Sequence, residues 1–273
     1  METCLWLLVF FFLLQPAIEN GMLAAARVQM LARLEAKRSS KVIALVRRQE
    51  QVNFLGFTFL EYINMEDSES IMRAIRMTDP TTPIDLIIHS PGSDITAAEQ
   101  ISAALIRHPA NVTVFVPHYA MSGAALIALA ASELVMNQDA VLGAPEPEVG
   151  MFPANSILKA VASKSVSEVE DKTWMMAQNA SKARDQIRSK TKEILGHRMD
   201  AEKAERIAET LTSGRWTVDY PLSVDELIEL GLSVSTDMPL EVYQLMNLYP
   251  QPRNQRPSVQ FIQAPYRKSD RKH

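Results

Sequence analysis

From Cys4 to Leu14 the chain reads CLWLLVFFFLL with no polar side chain, and Gln15-Pro16-Ala17-Ile18 follows. Cys4 to Ile18 falls just short of the ~17–25 apolar residues of a spanning helix. A cleaved signal peptide would account for it, with Ala24-Ala25-Ala26 as the small-residue site, but the opening Met-Glu-Thr carries an acid where such a peptide carries Lys or Arg. The flank beyond holds Arg27, Arg33, Lys37, Arg38, Lys41, Arg47 and Arg48 against Glu19 and Glu35. The positive-inside rule therefore favours a retained single-pass anchor over 1–21, membrane lipid as a partner and a cytoplasmic body. Met22, Ala26, Met30 and Leu34 then recur at helical spacing, which predicts an amphipathic juxtamembrane helix over 22–39. Such a helix either rests on anionic lipid or simply connects.

The pattern then changes. KVIALV from Lys41, IDLII from Ile84, NVTVFV from Asn111 and LVM from Leu134 are short apolar or β-branched runs. Between and after them lie helical stretches at Asp67 to Met77, Thr96 to Arg107 and Gly123 to Ala131. Strand and helix alternating at this spacing predict an α/β fold with a parallel sheet. Runs that are continuous rather than alternating predict a sheet covered on both faces. Further helices follow at Ala154 to Ala162, Ser167 to Arg198, Asp200 to Leu211 and Ser223 to Leu230; the last starts with Ser223 and Glu226 at capping-box spacing and ends at Gly231. The organised domain is bounded at 40–248, and the Pro-, Gln- and Arg-rich stretch 249–273 reads as a disordered polar tail.

Composition narrows the chemistry. A net charge of −4 gives no basic field for nucleic acid. Cys4 is the sole cysteine, so intrachain disulfides and a cysteine-based zinc site are ruled out. No pair of histidines has metal-ligand spacing and no Gly-rich phosphate loop occurs, so neither metal nor cofactor is expected.

In open α/β sheets functional groups gather beyond the carboxyl ends of the strands. His89 to Ser93 and His118 to Gly123 both fall there. Ser122 stands between a buried strand and a helix start, where its hydroxyl would serve as a nucleophile or, more ordinarily, as a helix cap. Backbone amides of Ser93 and Gly123 are placed to converge on one oxygen as an oxyanion hole. No GxSxG elbow is present. His118 and His89, each at a strand end, are candidate bases. Glu146 and Glu148, spaced by proline in APEPE, read as solvent-facing loop acids.

The strings His89-Ser-Pro-Gly, Val116-Pro-His-Tyr-Ala-Met-Ser-Gly and Leu142-Gly-Ala-Pro-Glu-Pro-Glu resemble the serine dehydrogenase proteinase family. That family is a membrane-anchored branch of the Clp-protease/crotonase superfamily, related to signal peptide peptidase A. The resemblance extends through Trp216-Thr-Val-Asp-Tyr-Pro to Glu229-Leu-Gly-Leu. It implies a Clp/crotonase-like fold and a serine endopeptidase whose nucleophile matches Ser122. Positions matching Gly92 and Ser93 would shape the oxyanion hole. The signal peptide peptidases use a lysine base beyond the serine, for which Lys159 is the choice and Lys164 the alternative. Peptide or membrane-protein substrates and a homo-oligomer are likewise implied. Four positions depart from the family pattern: Arg47 and Val218 replace histidines, and Ser93 and Ala124 replace glycines. Those departures favour a rival, a catalytically silent membrane-anchored scaffold of the same fold. An acyl-CoA enzyme of that fold is a second rival, disfavoured because it has no need of the serine.

Overall fold

The computed structural model describes residues 21–47, 52–54, 57–59, 62–217 and 219–249. In chain order it contains α1 (21–38), β1 (Lys41–Val46), a hairpin of β2 (Val52–Phe54) and β3 (Phe57–Phe59), and α2 (Met65–Arg76). Next come β4 (Ile84–His89), α3 (Ile95–Arg107), β5 (Val112–Val116), β6 (Tyr119–Ala120), α4 (Gly123–Leu129), β7 (Glu133–Met136) and β8 (Val141–Gly143). A hairpin of β9 (Glu148–Val149) and β10 (Phe152–Pro153) precedes α5 (Ala154–Ala162), α6 (Asp171–Gly196) and α7 (Ala201–Thr212). The chain closes with β11 (Pro221–Leu222), α8 (Val224–Glu229), β12 (Val234–Ser235) and α9 (Leu240–Asn247).

The main sheet has the order β1-β4-β5-β7-β12, with every neighbouring pair parallel. This is the α/β architecture expected from the alternating runs. β4 and β5 are buried along their whole length, as strands of a sheet covered on both faces are, and Asp85, His89 and Thr113 are buried with their apolar neighbours. Their side chains divide by parity. Ile84, Leu86, Ile88, Val112, Val114 and Val116 enter a large core with α2, α3, α4, α6 and α7, whereas Ile87 and Phe115 enter a second core on the other face.

That second core is closed by Leu34 of α1 together with Val242, Leu245 and Met246 of α9. Of the stripe Met22, Ala26, Met30 and Leu34, Leu34 is buried in this core and Met30 packs against it, whereas Met22 is exposed. Four basic residues of the flank that pointed to an anchor have partners within the domain. Arg38 pairs with the buried Asp85, whose carboxylate accepts from Ser40 Oγ at 2.6 Å. Arg27 donates to the Leu248 carbonyl and lies over the Tyr249 ring; Lys37 pairs with Glu241 and Lys41 with Glu35. Cys4 to Ile18 and the tail 250–273 lie outside the described residues. Among the described residues no helix is long and apolar enough to cross a membrane, which overturns the expected membrane localisation and the cytoplasmic placement inferred from it.

A smaller sheet, β11-β8-β6, sits beyond the carboxyl ends of the main strands. It is tied to β4 by a bridge between Ser90 and Ala120, with Ser90 N donating to Tyr119 O at 3.2 Å and Met121 N to Ser90 O at 3.1 Å. This junction delivers the site.

Candidate active site

Ser122 occupies the turn from β6 into α4 with φ 53° and ψ −124°. Non-glycine residues rarely adopt positive φ, because Cβ crowds the backbone; holding one there costs on the order of 1–3 kcal/mol. Ser39, the other described non-glycine residue at positive φ, stands just past the end of α1, where a left-handed residue commonly ends a helix. Ser122 has no such reason. Its side chain makes no capping hydrogen bond to α4, so the helix-cap reading fails. The residue is half-buried, and among the described residues its hydroxyl makes no hydrogen bond.

Two glycines permit this turn. A Cβ on Gly143 would lie 3.0 Å from Met121 Cα and 3.0 Å from Ser122 N, so β8 packs directly behind the serine only as glycine. A Cβ on Gly123 would stand 2.1 Å from Ser93 Oγ, which shows how closely the β4–α3 turn approaches the start of α4. Ser93 is bracketed by a parallel bridge to Ile63: Ile63 N donates to Gly92 O at 3.2 Å, and Asp94 N to Ile63 O at 2.8 Å. Ladder geometry then turns the Ser93 amide away from Ile63. Among the described residues neither the Ser93 nor the Gly123 amide donates to a backbone carbonyl. Ser93 Oγ is buried and has no hydrogen-bond partner among them. Gly92 is buried against Tyr62, and its amide donates weakly to Ser90 Oγ at 3.3 Å.

The candidate bases lie at differing depths. His89 ends β4 and is buried; its ring centroid is 5.4 Å from that of His118 and 4.1 Å from that of Tyr119. His118 is exposed at the entry to β6. Lys159 is exposed on α5, with Nζ donating to Gly214 O at 2.8 Å. The apolar face of α5, carried by Ile157 and Val161, turns toward α6 and does not cover Lys159. Lys164, past the end of α5, is also exposed.

Glu148 is solvent-facing as expected, but Glu146 is not. It is buried, and Oε1 accepts from the Asn155 amide in the first turn of α5 at 3.2 Å. A carboxylate at that end of a helix answers otherwise unsatisfied N–H groups, which outweighs exposure for a proline-flanked acid. Asn155 in turn donates to Thr212 O. The segment 143–155 thus runs from behind Ser122 to the helix bearing Lys159. Nothing in the sequence marked Gly143 or Glu146 for these parts.

The positions that depart from the resembled pattern also have places. Ala124 is fully buried in the large core. Arg47 makes a two-pronged pair with Asp67, Nη2 to Oδ1 at 2.6 Å and Nε to Oδ2 at 3.1 Å. Val218 lies outside the described residues.

Together these features define an α/β protein with a serine on a strained strand-to-helix turn beyond a parallel sheet. Its whole length, residues 1–273, matches the model of the ClpP-like SDH-type serine proteinases, and the chain belongs to that family. The resemblance carried by VPHYAMSG is borne out. Among curated proteins it is 46% identical over 265 residues to the uncharacterized protein MJ0137 of Methanocaldococcus jannaschii, covering 97% of this chain and 93% of that protein. It is 44% identical over 270 residues to MJ1495 of the same organism, covering 99% and 92%. Solved structures that resemble it include ClpP1 from Listeria monocytogenes, at 15% identity and TM-score 0.45 over 72% of this chain and 92% of that one. Another is a variant of the 1510-N membrane-bound stomatin-specific protease in complex with a substrate peptide, at 17% identity and TM-score 0.44 over 76% and 78%.

Proposed function

We propose that this chain is a serine endopeptidase whose nucleophile is Ser122. The observation that carries the reading is the backbone of Ser122: a non-glycine residue at positive φ, uncapped and half-buried, beside two amides with no backbone acceptor. A scaffold that had lost its chemistry has no use for that strain, so the silent-scaffold rival is the weaker reading. Ser122 Oγ attacks the peptide carbonyl carbon, and its proton passes to a base. The Ser93 and Gly123 amides hold the resulting oxyanion. Collapse breaks the C–N bond, the base returns the proton to the leaving amine, and water then hydrolyses the acyl-enzyme. Gly92 shapes the turn that presents the Ser93 amide.

Lys159 is the proposed base, placed on the helix that Glu146 ties to the strand behind Ser122. A lysine serves as a base where a covering surface keeps water from it. A bound peptide or a neighbouring copy would supply that cover. His118, beside the same strand, is the alternative, with Lys164 and His89 behind it. We also propose assembly into a homo-oligomer: Met151, Phe152, Trp174 and Met175 are exposed around the β9–β10 hairpin and the start of α6, an apolar surface that a second copy would cover.

Hydrolysis of a fluorogenic peptide mixture by the purified protein tests this. Wild type cleaves, and Ser122→Ala retains less than about a thousandth of the rate. Lys159→Ala and His118→Ala identify the base by which of them matches Ser122→Ala. A folded wild type that cleaves nothing across the neutral and alkaline range would contradict the reading.

A further inference from the structure

The oxyanion-hole turn has an anchor outside the site. Ile63 is fully buried and holds the Ser93 turn on both sides, through Gly92 O and Asp94 N. Ile63 is followed at once by Asn64, the cap of α2, whose side chain accepts from Asp67 N while its own N–H donates to Asp67 Oδ2 at 3.1 Å. That same carboxylate receives the Arg47 guanidinium in a two-pronged pair, with Arg47 and Asp67 side chains 25% and 17% exposed. Arg47 is itself fixed at the end of β1, its amide donating to His89 O at 2.7 Å. A continuous set of contacts therefore runs from β1 through Arg47, Asp67, Asn64 and Ile63 to Ser93, and from Ser93 to Gly123.

We propose that Arg47 is a positioning residue: its ion pair with Asp67 fixes the α2 cap, and through it the register of Ile63 and the aim of the Ser93 amide at the oxyanion. Arg47 touches no reacting atom. A planar, permanently charged guanidinium suits this work because its fork fixes the direction of the carboxylate as well as its distance. The otherwise puzzling arginine at this position thereby acquires a role, and its departure from the resembled histidine pattern does not disable the site. This inference rests on the reading of Ser122 as nucleophile.

The test uses the full-length protein and a fluorophosphonate probe, with labelling rates measured over a range of probe concentration and amide hydrogen exchange followed across 62–66 and 92–98. In Arg47→Met the maximal labelling rate falls about tenfold to a hundredfold, the loss expected from misaligned catalytic geometry, while the half-saturating concentration stays the same. Exchange at the Ile63 and Asp94 amides speeds up. Asp67→Asn, which keeps an acceptor for the Asn64 amide but loses the charge, behaves alike. The double variant loses less than the two single losses combined, because both disturb the same pair. Arg47→Lys recovers part of the rate. A labelling rate unchanged in Arg47→Met, or one that falls without faster exchange at Ile63 and Asp94, overturns the proposal alone. A folded wild type that does not label overturns the reading of Ser122 and this proposal with it.

Discussion

Ser122 shows most sharply what a sequence leaves unsaid. Its φ of 53° leaves no trace in composition, because the usual marker of positive φ is glycine and none stands there. From spacing alone, cap and nucleophile were both open; the structure shows that the side chain makes no capping hydrogen bond. The strain is measurable. Ser122→Gly should be more stable than Ser122→Ala by about 1 kcal/mol in chemical denaturation, since only glycine relaxes at positive φ, although both lack the proposed nucleophile. Equal stabilities would mean that the turn is unstrained. Ser93 offers a second test. If its amide is what matters, Ser93→Gly keeps the hydrolytic activity. Gly123→Ala abolishes it, because the new methyl meets Ser93 Oγ, and adding Ser93→Gly to Gly123→Ala recovers part of the loss as that oxygen is removed. Peptide hydrolysis by the three proteins checks this, and an active Gly123→Ala single variant would refute the close approach.

At the scale of elements, legibility followed length. β1, β4 and β5 were readable because each is a run of at least five residues whose neighbours are parallel strands. The helices α3, α7 and α8 were readable from their caps and spacing, and the Ser223–Glu226 capping box is present in full, with Tyr220 hydroxyl also donating to Glu226. The Ser223 amide, then that hydroxyl, holds the Glu226 carboxyl below its ordinary value. By contrast β6, β8 and β11 have two or three residues each, too few for a period to show, yet they carry the serine. α9 begins behind Pro239 with no capping side chain and was not anticipated. Glu146 escaped because its proline neighbours read as a loop, whereas its partner amide lies on the next helix. Removing it with Glu146→Ala should cost about 1–3 kcal/mol, the penalty for a buried amide left without its acceptor, and Glu146→Gln distinctly less. Denaturation midpoints measure both, and no difference between them would show that the carboxylate oxygen is not the acceptor.

For the whole molecule, α1 shows where the basic residues of one charge pattern find partners. Arg27, Lys37, Arg38 and Lys41 look like a membrane flank in one dimension, but in three dimensions their partners are Leu248, Glu241, Asp85 and Glu35. Hydropathy and charge counts see excess, not pairing, and so could not show those partners. Because Asp85 is buried, Arg38→Met should leave an uncompensated charge under α1 and lower stability by about 3 kcal/mol, read from the urea midpoint. A change below about 0.5 kcal/mol would mean that α1 docks by its apolar face alone. Family membership, with the parallel sheet and strained serine, makes peptide-bond chemistry the central claim. The most direct measurement is the site of covalent modification: treat the purified protein with a fluorophosphonate, take the intact mass, and map the adduct by proteolysis and mass spectrometry. The account predicts a single adduct on Ser122, absent from Ser122→Ala. An adduct on any other serine, or none on a folded wild type, would contradict it.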